Sequence, residues 1–262
     1  MSNFEFLQKY THLQQDVMFD EMVDLGFALV GYSSTDKSGY WNNALTNQVL
    51  KENEILEIEK LLISKERNPS IYFENNVMLR SFGETLIQRG YQKEWEDCWQ
   101  FWGGGIINAN HFEGIKKVET PEDLQVFLMT FNACYQKDDP QNPYGELGDY
   151  LKVAESVWSK HKGTNRLEYF VVYEGVKPVA VSTLTNFEGL GYIANVGSIK
   201  EVRGKGYGKA ATLFCVDQSI KNGNIEHCLA TEEGAYPNEF YKRIGFISRF
   251  TAEGYTKVMT NI

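Results

Sequence analysis

The chain is poor in the features that would place it in a membrane, outside the cell, or on nucleic acid. No apolar run approaches the roughly twenty residues that a membrane span needs. The first residues, Met1-Ser2-Asn3-Phe4-Glu5, have neither the basic region nor the apolar core of a signal segment. Together these absences lead us to expect a cytoplasmic protein with no membrane contact. The four cysteines, Cys98, Cys134, Cys215 and Cys228, are scattered with no Cys-x-x-Cys pair, so they read as core thiols rather than a disulfide framework or a zinc site. His161 and His227 flank predicted elements without ligand spacing, and no metal is expected. Positive charge is also short. With 26 Lys and Arg against 35 Asp and Glu, the net charge of -9 leaves no basic stripe of the kind nucleic acid requires.

What remains is an ordinary globular composition, 42% hydrophobic and 23% charged. At 262 residues the chain exceeds the commonest single-domain size, so two domains are expected. A division into residues 1–112 and 113–262 follows from the patterns below.

The stretch Arg203-Gly204-Lys205-Gly206-Tyr207-Gly208-Lys209 carries the strongest chemical signal. It lies between a strand-like run, 192–199, and a helix-like run, 210–221. Glycines allow a sharp turn and close backbone approach, and the unpaired amides and dipole of a helix start favour an anion. A P-loop is excluded, because Gly208-Lys209 is followed by Ala210 with no hydroxyl for magnesium. A dinucleotide fingerprint fails because Lys209 stands where its third glycine belongs. The pattern that fits is Arg-x-x-Gly-x-Gly at Arg203, Gly206 and Gly208, preceded by Val196-Gly197-Ser198-Ile199.

A second signature follows at the right separation. After the helix and its stop at Asn222-Gly223 comes an apolar strand-like run, 227–231, then Asn238-Glu239-Phe240-Tyr241-Lys242-Arg243-Ile244-Gly245-Phe246. In order and spacing the two segments resemble the GNAT superfamily of acyl-CoA-dependent N-acyltransferases. The rest of the C-terminal half agrees: a helix over 121–135 capped by Thr120, another over 145–161, and a hairpin from 167–173 and 179–184. The expected fold class is α/β with a mixed sheet.

The resemblance implies acetyl-CoA as co-substrate. Its pantetheine arm would lie along Val196, Gly197, Ser198 and Ile199, and its pyrophosphate on amides from Lys205 through Gly206, Tyr207, Gly208 and Lys209 to Ala210. Gly204 provides the turn, with Arg203 and Lys209 near phosphate. It further implies direct attack of a neutral amine on the thioester, with Tyr241 as general acid, Glu232 or Glu233 as base, and an oxyanion donor at Gly197 or Ser198. The acceptor would be the primary amine of a small molecule or amino acid, and the protein a monomer or homodimer. A non-catalytic acyl-CoA-binding regulatory module is the alternative. One departure from the family pattern is Gly234, which stands where members often carry an asparagine seven residues before the tyrosine.

The N-terminal half echoes the C-terminal one. A helix over 54–65, a strand over 68–73, then Leu86 to Gly90-Tyr91 and an aromatic run at 98–102 repeat the later order, with Gly90 aligned on Gly245 and Tyr91 on Phe246. The glycine loop is missing, replaced by Val49-Leu50-Lys51-Glu52-Asn53. The expectation is a degenerate tandem copy of the same fold. Tyr40, Trp41, Trp95, Trp99 and Trp102 read as its aromatic core.

Overall fold

The computed structural model describes residues 1–108, 110–137, 139–142 and 145–259. Helix α1 (Asn3–Leu13) starts at Ser2, whose hydroxyl accepts from the Glu5 amide while the Glu5 carboxylate accepts from the Ser2 amide. Strands β1 (Glu21–Asp24), β2 (Leu29–Tyr32) and β3 (Asn43–Leu45) form an antiparallel meander. Helix α2 (Glu52–Ser64) buries Ile55, Ile58 and Leu62 along one stripe and returns the chain to β4 (Ser70–Glu74), parallel to β3. Then come α3 (Arg80–Gln88), a left-handed glycine at Gly90, φ +88°, and the long strand β5 (Gln92–Trp102).

After β6 (Ile115–Lys117), α4 (Pro121–Cys134) opens on Thr120, which exchanges hydrogen bonds with Asp123 in a capping box. Helix α5 (Tyr150–His161) begins five residues later than expected, because Gly145 and Gly148 hold positive φ values of 72° and 50°. A meander of β7 (Leu167–Glu174), β8 (Lys177–Phe187) and β9 (Leu190–Ser198) leads into α6 (Tyr207–Lys221), β10 (Glu226–Glu232), α7 (Tyr236–Ile244) and β11 (Phe246–Thr256).

Two stretches therefore repeat one topology. In β1-β2-β3-α2-β4-α3-β5 and in β7-β8-β9-α6-β10-α7-β11, two antiparallel steps precede a strand-helix-strand step with parallel strands, then a helix and a strand. Both α3 and α7 stop at a left-handed glycine, Gly90 and Gly245.

The chain forms two compact units: Met1–Trp99 with Thr231–Glu233 and Arg249–Ile262, and Gln100–Ala230 with Gly234–Ser248. They do not follow a cut at 112/113. Residues 252–256 of β11 pair antiparallel with β4, so the first unit takes a strand from the end of the chain. The strand order is β1-β2-β3-β4-β11-β5 in the first unit and β10-β9-β8-β7-β6 in the second.

Each unit has its own core. In the first, Ile55, Leu62, Phe73, Phe82 and Tyr91 pack together, and Phe73 stacks on Tyr255 at 5.4 Å between ring centres. In the second, Phe127, Phe131, Tyr169, Val181 and Tyr207 fill one face of the sheet, and Phe170, Leu184, Ile193, Leu229 and Phe246 the other. All four cysteines are buried, and none forms a disulfide.

Candidate active site

The site of the second unit is built on an irregularity in β9. Partners run Val181 to Gly197 but Thr183 to Ala194, so β9 carries one residue too many for β8. The excess is absorbed at Asn195, whose φ of +53° places it in the left-handed region that asparagine tolerates better than most residues. Its amide reaches Thr183 Oγ1 at 3.3 Å and the Tyr150 hydroxyl at 3.5 Å. Pairing with β8 resumes past the bulge, Val181 with Gly197 and Ala180 with Ser198, whereas β10 is already lost before it. Pairing with β10 is confined to Leu190–Tyr192 against Glu226–Cys228, although β9 runs on to Ser198. The edge of β9 from Ile193 onward is thus left with ladder groups that β10 does not take.

Alternation tells which groups these are. The Ile199 amide donates to Val179 O at 3.0 Å, so its antiparallel ladder turns Gly197 toward β8 and directs the N–H and C=O of Ser198 to the opposite side. The Val196 carbonyl accepts from the Tyr135 hydroxyl at 3.2 Å, while Ile199 is buried beside Val202. Of the two oxyanion donors named from the sequence, the ladder leaves Ser198 N–H as the available one. Gly197 has a different reason to be glycine: a Cβ there would stand 2.6 Å from Cys134 Cβ and 3.0 Å from the Tyr135 ring. The close approach is by the end of α4.

The glycine loop then turns through two left-handed residues, Gly204 at φ +78° and Gly206 at φ +95°. Helix α6 starts at Tyr207, three residues before the run expected from the sequence, so Gly208 and Lys209 belong to its first turn. The amides at the two ends of the expected cradle are engaged, Lys205 with Val202 O and Ala210 with Gly206 O. Between them the first-turn amides of Tyr207, Gly208 and Lys209 meet no capping side chain and no acidic residue. A Cβ at Gly208 would meet Ser198 Oγ at 3.3 Å and the Phe240 ring at 3.7 Å, so the first turn of α6 lies close against the end of β9. The equivalent start of α2 is closed, because the Glu54 carboxylate accepts from the Lys51 amide at 2.7 Å.

The basic residues divide. Lys209 is exposed at the open turn. Arg203 instead points inward, in a two-pronged pair with Asp139 at 2.5 and 2.6 Å, and also donates to Ser198 O and Cys134 O. It ties the loop to the segment after α4. Lys205 lies 3.4 Å from Glu174, which also accepts from the Tyr207 hydroxyl at 2.8 Å. The Tyr207 ring is buried, with the His111 ring 4.2 Å away. Asn195, Asp139 and Tyr135 escaped the sequence reading; nothing in the strand alternation marks Asn195, and Asp139 acts across more than sixty positions.

Tyr241 lies on α7 among Leu184, Ile193, Leu229 and Phe246, with the rings of Phe240 and Phe246 edge-on at 5.1 and 5.8 Å. It is 8% exposed. Asn238, one turn earlier on the same helix, is fully buried, and its carbonyl accepts from Gln100. Tyr236, the first residue of α7, is exposed. Glu232 ends β10, and both it and Glu233 are exposed and belong to the first unit, whereas Tyr241 belongs to the second. Among the described residues no cluster of His, Cys, Asp and Glu could hold a metal ion, and no helix is long and apolar enough to cross a membrane.

A bulged strand that leaves its parallel neighbour is thus followed by a helix start without a side-chain cap. Residues 128–246 match the acetyltransferase (GNAT) family, and this stretch is a GNAT acetyltransferase domain. Solved structures with the same fold extend over nearly the whole chain. A GCN5-related N-acetyltransferase from Kribbella flavida is 16% identical with a TM-score of 0.69, covering 98% of this chain and 96% of its own. A functionally unknown conserved protein from Staphylococcus epidermidis is 14% identical with a TM-score of 0.65, covering 92% and 94%. A GCN5-related N-acetyltransferase from Sphaerobacter thermophilus is 14% identical with a TM-score of 0.58, covering 90% and 82%. No curated protein matches the chain significantly.

Proposed function

We propose that the protein transfers an acetyl group from acetyl-CoA to the primary amine of a small molecule or amino acid, by direct attack while both substrates are bound. The observation that carries this reading is the uncapped first turn of α6 beside the unpaired end of β9. The open amides of Tyr207, Gly208 and Lys209 suit the pyrophosphate, with Lys209 adding charge, and the free edge of β9 suits the amide-bearing pantetheine arm. Arg203 serves by holding the loop rather than by touching phosphate.

In this reading the Ser198 N–H donates to the oxygen that gains charge when the amine attacks the thioester carbonyl. Tyr241 returns a proton to the departing thiolate. Its seat among Leu184, Ile193 and Leu229 keeps the hydroxyl out of bulk water, where a single proton transfer has most effect. Glu232 and Glu233 are the candidates for taking the proton from the incoming ammonium; both are solvated and so suited to relay through water.

The repeated topology supports reading the N-terminal stretch as a degenerate copy of the same fold, in which Glu54 occupies the helix start that phosphate would need. The test is turnover: acetyl-CoA consumption, followed as free thiol, against a panel of primary amines. Transfer to none of them, with acetyl-CoA bound, would favour the non-catalytic acyl-CoA-binding module.

A further inference from the structure

The first unit holds a second polar centre with no part in the scheme above. Asp97 on β5 is 7% exposed and lies at the base of a recess lined by Tyr10, Tyr40, Trp41, Tyr72 and Trp95. Its carboxylate accepts from the Tyr72 hydroxyl at 2.8 Å and, at the long distance of 3.5 Å, from the Tyr40 hydroxyl. The buried indole N–H of Trp95 completes no hydrogen bond, although it lies near enough to favour the charged carboxylate. Among the described residues no Lys or Arg pairs with Asp97, and the charge that acts on it is that of another acid, Glu96.

A carboxylate has about four acceptor positions, and burying it without a counter-charge is costly. The cost is visible: burial pushes the Asp97 carboxyl up to about 7, against the pull of Tyr72, Tyr40 and Trp95. The surrounding rings are nevertheless held in place. Tyr72 is fixed by the Trp99 indole at 3.0 Å, and Tyr40 packs edge-on to Trp41 at 4.7 Å. Trp95 lies so close over Gly254 that a Cβ there would stand 2.0 Å from its ring. Rigid aromatics around an uncompensated carboxylate are the complement of an organic cation.

Size selects the cation. The interior of the recess is about 10 Å³, room for about one water molecule. A primary ammonium group is of that size and brings three donors, whereas a trimethylammonium head is several times larger. We propose that the recess receives a primary ammonium group, with Asp97 as its counter-charge and the rings of Tyr40, Trp41, Tyr72 and Trp95 around it. This site stands independently of the acyl-transfer reading and requires no CoA.

The test is a titration of the 262-residue chain, without CoA, using n-butylammonium chloride, tetramethylammonium chloride and n-butanol at constant ionic strength. Tryptophan fluorescence and ligand-observed NMR provide the two readouts. The expected result is saturable binding of n-butylammonium only, weakened roughly tenfold or more by Asp97→Asn and several-fold by Trp41→Leu, with thermal unfolding confirming that each variant is folded. Trp41→Leu keeps the test decisive where Asp97→Asn does not fold. Equal binding of butanol, no saturable binding of n-butylammonium, or undiminished binding in a folded Asp97→Asn protein would overturn the proposal and leave Asp97 a purely structural acid.

Discussion

Arg203 and Asp139 face each other in a two-pronged ion pair, with guanidinium nitrogens 2.5 and 2.6 Å from the two carboxylate oxygens. Both side chains are largely covered, at 19% and 6% exposure. The hydrogen bond from Arg203 holds the Asp139 carboxyl below the usual range and Asp139 raises the Arg203 guanidinium. A carboxyl lowered by folding stabilises the protein above its unfolded value and loses that contribution as pH falls through its folded one. Arg203→Ala and Asp139→Ala should each cost about 1–3 kcal/mol near neutral pH. The double variant should cost less than the sum of the two, measured by denaturant unfolding. Additive losses would show that the pair does not act as a unit.

Gly197 tests packing against ligand approach. Because its missing Cβ leaves room for Cys134 and Tyr135, Gly197→Ala should lower stability by about 1–3 kcal/mol through overpacking. The loss should appear in the thermal midpoint with no CoA present. An unaffected midpoint with impaired CoA binding would move Gly197 back to the cofactor.

Tyr241→Phe removes only a hydroxyl from a packed ring. Turnover should fall about a hundredfold or more, the range for a lost proton-transfer group, while the affinity for CoA stays within about twofold. Unchanged turnover would remove Tyr241 from the role of acid.

Asp97 gives the first unit a pH signature. Its carboxyl titrates at about 7 in the fold and near 3.8 in the unfolded chain, with burial as the main cause. The folded state therefore keeps a proton that the unfolded state has already lost. Stability from this group is full below about pH 4 and declines as pH rises to about 7, by up to roughly 4 kcal/mol. Tyr72, Tyr40 and Trp95 are the groups that face it, and Glu96, next to it on β5, acts on it through its charge. Comparing thermal midpoints at pH 5 and pH 8, the wild type should lose more on going to pH 8 than Asp97→Asn; equal losses would place the titration elsewhere.

The fold class was legible in the sequence, while several details of strand and loop geometry were not. The glycine loop ahead of α6 and the closing Gly245 could be read directly, because left-handed turns at Gly204, Gly206 and Gly245 demand glycine at fixed positions. The bulge at Asn195 was hidden, since one extra residue in a strand leaves the apolar alternation nearly intact. Arg203 was placed beside phosphate because a basic residue in a glycine loop looks like a ligand contact, and only Asp139, far along the chain, shows why it turns inward. The start of α5 was set too early because amphipathic spacing does not register the positive φ of Gly145 and Gly148. The passage of β11 to β4 was likewise invisible, since local patterning carries no information about which distant strand becomes the neighbour.

The central claim is that the first turn of α6 receives the phosphates of an acyl-CoA. Lys209→Glu tests it most directly, because the side chain at 209 is exposed in the first turn of α6 and a carboxylate there favours the helix itself. Isothermal titration with acetyl-CoA should give micromolar binding for the wild type and at least tenfold weaker binding for the variant, with the thermal midpoint retained. Equal affinity in the two proteins, or no binding by a folded wild type, would contradict the account.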